Sequence, residues 1–133
     1  MPGPPYPLHE SVRNRLDPEY VNFYDRYLVN VQQVHHQPLS VARSGSPIVA
    51  GGSNPLPVGH QQDYLISRTS TEGPEVLLRA FTPDGQPSDV AGWPVMLYLH
   101  GGGFVLGNIH TENTVCTHMC MKARCVVVAV DYR

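Results

Sequence analysis

The chain has 133 residues, 41% of them hydrophobic and 15% charged, which is the composition of one ordinary globular domain. Nine Lys and Arg against eleven Asp and Glu give a net charge of −2, so the composition offers no basic face for nucleic acid. The longest apolar run, residues 125–130, is far shorter than the roughly 18 residues that a membrane-spanning helix needs.

The start of the chain has neither a positively charged segment nor an apolar stretch. We therefore expect no secretory signal peptide and a cytoplasmic location. Three cysteines, Cys116, Cys120 and Cys125, lie within ten residues, a spacing unlike the disulfide frameworks of small secreted domains. Reduced thiols are the expected state.

The composition shifts near residue 60, because nine of the thirteen prolines precede it and the long β-branched runs follow it. This shift predicts a helical and irregular lead-in segment over 1–60 and a sheet-forming segment over 61–133. Within the lead-in, an amphipathic helix is predicted over 17–33, with Asp17 as N-cap and Pro18 at the first helical position. Residues 37–59, rich in Pro, Ser and Gly, are predicted to be irregular.

Aromatic residues recur on one face of the predicted helix at spacings of three and four: Tyr20, Phe23, Tyr24 and Tyr27. We expect this face to be packed on the body of the protein. The histidine pair that follows, His35 and His36, is expected at a solvated surface.

Strand signals fill the second segment. Runs over 62–69 and 75–82, with a Gly73-Pro74 turn between them, predict a hairpin. The run over 94–99 lacks alternation, which predicts a strand with both faces buried. A helix over 111–123 and an apolar strand over 126–130 complete a strand, helix, strand unit, which makes parallel strands with a right-handed crossover.

A glycine run follows the strand over 94–99 directly, as His100-Gly101-Gly102-Gly103-Phe104. The carboxyl ends of strands are where open α/β sheets place ligands. Without Cβ atoms the run can adopt positive φ and aim adjacent N–H groups into a cleft, which is the chemistry of an oxyanion hole. A phosphate loop is disfavoured because its lysine and glycine spacing are absent, and a simple turn after the strand is the remaining alternative.

The stretch from Trp93 onward resembles the hormone-sensitive-lipase-like group of α/β hydrolases, whose His-Gly-Gly-Gly loop is the known oxyanion element. The matching text is Tyr98-Leu99-His100-Gly101-Gly102-Gly103-Phe104, Gly107-Asn108 and Val128-Ala129-Val130-Asp131-Tyr132-Arg133. The resemblance implies an α/β fold, namely the N-terminal portion of a hydrolase sheet preceded by a cap segment. It assigns the oxyanion amides to Gly102 and Gly103, loop shaping to His100 and Gly101, and substrate contact to Phe104 and Tyr24.

The family's Ser, Asp and His triad has no counterpart in this sequence. The serines within 44–53 lie in the segment predicted to be irregular, and none is on the Gly-x-Ser-x-Gly turn that a nucleophile needs. His100 belongs to the glycine motif and is not assigned as the base. We therefore expect the N-terminal part of a serine carboxylic ester hydrolase, with its nucleophile, acid and base outside this chain.

The resemblance implies a small acyl ester as substrate, with no cofactor, no metal and no nucleic acid, and a homodimer is an option for the longer form. Two alternatives stay open: an amidase of formamidase type, and a non-catalytic interaction fragment. In the hydrolase arrangement the strand over 94–99 becomes an edge in this chain, so we expect the isolated chain to aggregate.

Two clusters have structural interpretations. A metal site is conceivable from His110, Cys116, His118 and Cys120, but Cys116 and Cys120 share a helical face with apolar neighbours, so core packing is predicted. Asp131 and Arg133 at the end of the last strand are predicted to fix the adjoining loops by an ion pair or hydrogen bonds.

Overall fold

The computed structural model describes residues 3–44 and 54–132. The chain forms two compact units, Met1–Ala42 and Arg43–Arg133. The division of the sequence at residue 60 was inferred from composition and remains a prediction about domain organisation.

The first unit contains three short helical elements. They are helix α1, Glu10–Arg13, helix α2, Pro18–Tyr27, and a 3₁₀ turn, Val34–His36. Helix α3, Leu39–Ser44, begins in this unit and extends past its last residue.

Helix α2 begins where the sequence predicts. The Asp17 side chain accepts the N–H of Glu19 at 2.8 Å, and Pro18 occupies the first turn, where its missing donor has no helical partner to lose. The predicted end at residue 33 is wrong. The carbonyl of Tyr24 accepts the N–H groups of both Leu28 and Val29, and the Val29 carbonyl accepts the Tyr6 N–H at 3.1 Å, so the backbone leaves the helical path after Tyr27.

The aromatic face of α2 is only partly packed. Tyr24 is buried, and its hydroxyl donates to the Tyr6 carbonyl at 3.0 Å. In contrast, Tyr20, Phe23 and Tyr27 are 45%, 49% and 55% exposed. The expectation of a packed face is therefore wrong for three of the four residues, and the hydroxyl of Tyr24 is bonded within the first unit.

The segment predicted to be irregular contains helix α3. Pro38 has a fixed φ, and its carbonyl accepts the N–H groups of Val41 and Ala42 at 2.9 Å each, which starts the helix. An element of six residues is too short to show a periodic pattern, and the same is true of the four-residue α1. The predicted irregularity of residues 45–53 lies outside the described residues.

The second unit is a four-stranded mixed sheet with one helix packed on it. Its elements are β1, His60–Ile66; β2, Val76–Thr82; β3, Val95–Leu99; α4, Asn113–Ala123; and β4, Val126–Asp131. The strand order is β1-β2-β4-β3. Strands β1 and β2 pair antiparallel, as do β2 and β4, whereas β3 and β4 are parallel. The predicted hairpin and the strand, helix, strand unit are both confirmed.

The core lies between one face of this sheet and helix α4. Phe81, Val127 and Ala129 from the sheet pack with Cys116 and Cys120 from the helix, and all five are at most 5% exposed. Burial raises the pKa of the thiols of Cys116 and Cys120 to about 11. The predicted role of these cysteines in core packing is confirmed.

The other face of the sheet is open at β3. Val95, Leu97 and Leu99 alternate with half-buried residues and are 59% to 70% exposed. The prediction that both faces are buried is wrong, because α4 covers one face only. The prediction that this strand is an edge is confirmed, since β3 pairs only with β4 among the described strands.

Helix α4 ends at an arginine in the left-handed conformation. Arg124 has φ 53°, a value that favours glycine, and its N–H still reaches the Cys120 carbonyl. The side chain donates to the Asp84 carboxylate at 2.7 Å and lies over the Trp93 ring, 4.7 Å from its centroid. The connection between β2 and β3 is thus attached to the end of the helix.

Candidate functional site

The glycine run lies at the carboxyl end of β3 with an unusual backbone. Gly102 and Gly103 have φ of 131° and 61°, and Phe104 continues at 62°. Positive φ costs a residue with a Cβ about 1–2 kcal/mol, so two of these three positions are suited to glycine and the third is strained. The sequence-based expectation of positive φ in this loop is confirmed.

The loop folds back on itself so closely that two glycines have no space for a side chain. A Cβ on Gly102 would lie 1.9 Å from the Leu106 carbonyl oxygen, and one on Gly107 would lie 2.4 Å from the His100 Nδ1. The Gly102 carbonyl accepts the N–H groups of Val105 and Leu106 at 3.1 and 2.9 Å, which closes the turn. Gly103 is different, because nothing lies within 4 Å of its Cβ position.

The N–H groups of Gly102 and Gly103 are available as hydrogen-bond donors. Within residues 3–44 and 54–132, neither N–H donates to a backbone or side-chain acceptor. Two adjacent donors on a closed turn, next to open space, can bind an oxygen that carries negative charge.

The buried side chain of His100 forms a hydrogen bond to the glycine loop. It is 6% exposed, and its Nδ1 lies 2.8 Å from the Gly101 carbonyl oxygen. A carbonyl oxygen only accepts, so Nδ1 carries the proton and donates it. Nε2 is buried and has no partner among the described groups. His100 therefore contacts the loop through Nδ1, and its role in shaping the loop remains a prediction.

Tyr132, directly after β4, contacts His100 through its ring and its hydroxyl. The two rings stack at 4.2 Å between centroids with 14° between their planes, and the Tyr132 hydroxyl donates to the His100 carbonyl. Glu112 lies on another side of the loop: it accepts the Tyr98 hydroxyl, and its Oε1 lies 3.7 Å from the Cβ position of Gly101. No sequence pattern indicated these contacts.

A cavity of about 230 Å³ begins next to the glycine run. Its lining residues are Arg43, His100, Phe104, Val105, Leu106, Gly107, Asn108, Asp131 and Tyr132. Phe104 is 84% exposed, and Arg43 donates from Nε to the Val105 carbonyl at 3.0 Å. Asp131 accepts the Ile109 N–H at 3.0 Å, which confirms its predicted role of fixing a loop. Arg133, its predicted partner, lies outside the described residues.

Tyr24, the second residue assigned to substrate contact by resemblance, belongs to the first unit. Its hydroxyl is held there by the Tyr6 carbonyl and the Gln33 side chain. Its contact with substrate remains a prediction.

A buried arginine links β1 and β2 to the segment after the loop. Arg79 is 8% exposed and donates to both oxygens of Asp63 at 2.7 Å, which lowers the pKa of that carboxyl. Its Nη1 lies 3.2 Å from the Nδ1 of His110, which must be the acceptor because a guanidinium only donates. This network was not anticipated from the sequence.

The residues weighed for a metal site do not converge. His110 faces Arg79, His118 lies 3.1 Å from the Asn54 carbonyl oxygen, and the two cysteines are in the core. Across the part of the chain that the structure describes, no group of three or more His, Cys, Asp or Glu side chains could hold a metal ion. In the same part, no helix is long and apolar enough to cross a membrane.

Known proteins match both the glycine loop and the fold. The model of an α/β hydrolase fold family matches residues 96–133. An AB hydrolase superfamily protein of Schizosaccharomyces pombe is 47% identical over 131 residues, which are 96% of this chain and 38% of that protein. An arylesterase of Saccharolobus solfataricus is 27% identical over 120 residues, covering 89% of this chain and 37% of the relative.

Solved structures of ester hydrolases also superpose on this chain. An ester hydrolase from the metagenome of Lake Arreo superposes with a TM-score of 0.66 at 27% identity, covering 95% of this chain and 38% of that one. An esterase of Pyrobaculum calidifontis gives 0.65 at 28% identity, with 89% and 36% covered. The chain therefore has the fold of the N-terminal portion of an α/β hydrolase, and it resembles esterases and hydrolases of that fold. It spans less than two fifths of the length of each of these relatives.

Proposed function

We propose that this chain supplies the oxyanion hole of a serine carboxylic ester hydrolase of esterase or lipase type. The observation that carries the proposal is the pair of unclaimed N–H groups on Gly102 and Gly103, at positive φ, directly after β3. The nucleophilic serine and its acid and histidine partners lie outside this chain. Because the nucleophile belongs to another part of the protein, residues 1–133 alone are expected to be inactive.

The role of the two amides follows from the chemistry of acyl transfer. When a nucleophile attacks an ester carbonyl, the carbonyl oxygen becomes negative, and fixed N–H donors stabilise that charge more than the neutral oxygen. Each donor of this kind contributes roughly 3 kcal/mol to the transition state. His100 and Gly101 keep the loop closed, so its amides need not reorganise during the reaction.

The substrate under this proposal is a small acyl ester, and Phe104, exposed beside the cavity, contacts its acyl or alcohol part. The esterase of Pyrobaculum calidifontis and the arylesterase of Saccharolobus solfataricus support an ester over other acyl compounds. The reaction needs no cofactor. An amidase would use the same loop, and comparing ester with anilide turnover separates the two activities.

A second candidate function is an interaction fragment without catalysis. The observation that favours it is the open edge of β3 with its exposed Val95, Leu97 and Leu99, onto which another strand can pair.

The experiment that decides between them is to read the transcript past the codon for Arg133. We expect the reading frame to continue into a strand followed by Gly-x-Ser-x-Gly, and a fluorophosphonate probe to label that serine in the full-length protein. A stop codon directly after Arg133 contradicts the hydrolase proposal and favours the interaction fragment.

A further inference from the structure

Arg43 lines the cavity beside the proposed oxyanion hole, and no described residue forms an ion pair with its guanidinium. It lines the same cavity as Phe104 and His100, in the second unit. Its Nε donates to the Val105 carbonyl at 3.0 Å, on a residue two positions after Gly103. This bond fixes the direction of the side chain relative to the glycine loop.

The bond to Val105 leaves the far end of the guanidinium available. Arginine carries five N–H donors, and the bond uses the one on Nε, so the four on Nη1 and Nη2 remain. In the described ranges no carboxylate lies within ion-pair distance of Arg43, whereas Arg13, Arg79 and Arg124 are each paired with an aspartate. The planar end of a guanidinium matches the two oxygens of one carboxylate.

Asp131 is the other charged residue of the cavity wall, and it does not form an ion pair with Arg43 in the described structure. Its Oδ1 accepts the Ile109 N–H, and its negative charge favours the charged form of Arg79. Arg43 is therefore the cationic group of the cavity wall in the described part of the chain, and one positive charge suits a singly charged anion.

We propose that Arg43 binds a carboxylate carried by the substrate, so that the preferred esters are monoesters of dicarboxylic acids. This inference rests on the proposed ester hydrolase. In it, Phe104 contacts the apolar stem of the ester, Gly102 and Gly103 bind its carbonyl oxygen, and Arg43 determines specificity by holding the distal carboxylate.

The first test compares two esters in the full-length protein: p-nitrophenyl butyrate, which is neutral, and mono-p-nitrophenyl glutarate, which ends in a carboxylate. We expect a higher kcat/KM for the glutarate ester. Arg43→Gln should lower the ratio of the two kcat/KM values by about tenfold, since one charge-assisted pair is lost, and Arg43→Lys should restore part of it. Arg68→Gln, an exposed arginine outside the cavity that also donates from Nε to a carbonyl, is the matched control and should keep the ratio.

A ratio that Arg43→Gln leaves unchanged overturns the assignment of Arg43 while the proposed hydrolase stands. If neither ester is hydrolysed, the hydrolase fails, and binding then tests Arg43 alone. Titration calorimetry with monomethyl glutarate should show binding that Arg43→Gln abolishes and Arg68→Gln keeps. The inference is overturned by any of three results. They are equal binding of monomethyl glutarate to Arg43→Gln and Arg68→Gln, no binding of monomethyl glutarate to the parent protein, and stronger binding of methyl phosphate than of monomethyl glutarate.

Discussion

At the scale of single residues, Gly102 and Gly103 are adjacent but restrict a side chain in different ways. Alanine at 102 would place its Cβ 1.9 Å from the Leu106 carbonyl oxygen, so the turn must open, whereas alanine at 103 meets only the cost of positive φ. We expect Gly102→Ala to lower kcat for a neutral ester by roughly a hundredfold or more, the effect of losing one oxyanion donor. Gly103→Ala should cause a clearly smaller loss, since positive φ costs about 1–2 kcal/mol.

The measurement is kcat in the full-length protein, with circular dichroism to confirm that both variants are folded. Equal losses in the two variants would show that the contact between Gly102 and Leu106 does not set the position of the amides.

The buried cysteines provide a second prediction at this scale. With a pKa of about 11, Cys116 and Cys120 are protonated at pH 8 and should react slowly with iodoacetamide in the folded chain, then quickly in urea. Because the folded pKa lies above the ordinary thiol value of 9.0, the stability that these protonated thiols contribute is fully present below pH 9 and is lost as the pH rises toward 11. Mass spectrometry of the labelled chain measures the rates, and Ser70→Cys in an exposed loop supplies a fast-reacting reference. Rapid labelling of Cys120 without urea would contradict this burial.

At the scale of secondary structure elements, the ion pair between Asp63 and Arg79 joins β1 to β2. Arg79 is buried, so removal of Asp63 leaves its charge without an ion-pair partner. The guanidinium lowers the pKa of Asp63, so the stabilisation is present above pH 4 and is lost as the pH falls below 3.8 through the lowered value. We expect Asp63→Asn to lower the urea midpoint at pH 7 and to have little effect at pH 2.

Asp25→Asn is the matched control for this prediction. Asp25 pairs with Arg13, and both side chains are about 40% exposed. An exposed pair of this kind contributes little to stability, so the midpoint at pH 7 should hardly change. An equal decrease in both variants would refute the role assigned to the burial of Arg79.

The sequence predicts the elements of the second unit better than those of the first. Alternation and β-branched runs identify the hairpin and the strand, helix, strand unit, because these patterns are typical of strands. The end of α2 depends on the Val29 carbonyl bonding to Tyr6, a contact between residues distant in sequence, which periodicity cannot report. Helix α3 is too short for any period to be visible.

The exposed face of β3 was missed for a related reason. An apolar run without alternation predicts burial on both sides, but burial depends on which elements are present to cover the strand. In this chain α4 covers one side, and the relatives are more than twice as long.

The same limit applies to the site. The glycine motif identified the loop and its positive φ. Arg43 and Val105 are 62 residues apart in sequence, and His100 and Tyr132 are 32 apart, so no local pattern brings either pair together.

At the scale of the whole molecule, the open sheet predicts self-association. The isolated chain should elute in size-exclusion chromatography well above its 14.7 kDa, because a parallel edge strand with an exposed apolar face pairs with other copies. Leu97→Lys, on the exposed face, should shift the protein toward the monomer. Met96→Lys, on the face packed against the core, should unfold it instead. A monodisperse monomer that melts cooperatively without any substitution would contradict the prediction.

Arg124, in the left-handed conformation, affects the local motion of the chain more than the free energy of unfolding. Glycine at this position would relieve a backbone cost of about 1–2 kcal/mol but lose an exposed ion pair and a contact with Trp93, each contributing about 0.5–1 kcal/mol. These changes nearly cancel in the free energy of unfolding. They do not cancel locally, because the arginine attaches the connection between β2 and β3 to α4. Amide hydrogen exchange should therefore accelerate around Asp84 and Trp93 in Arg124→Gly while the melting temperature hardly moves.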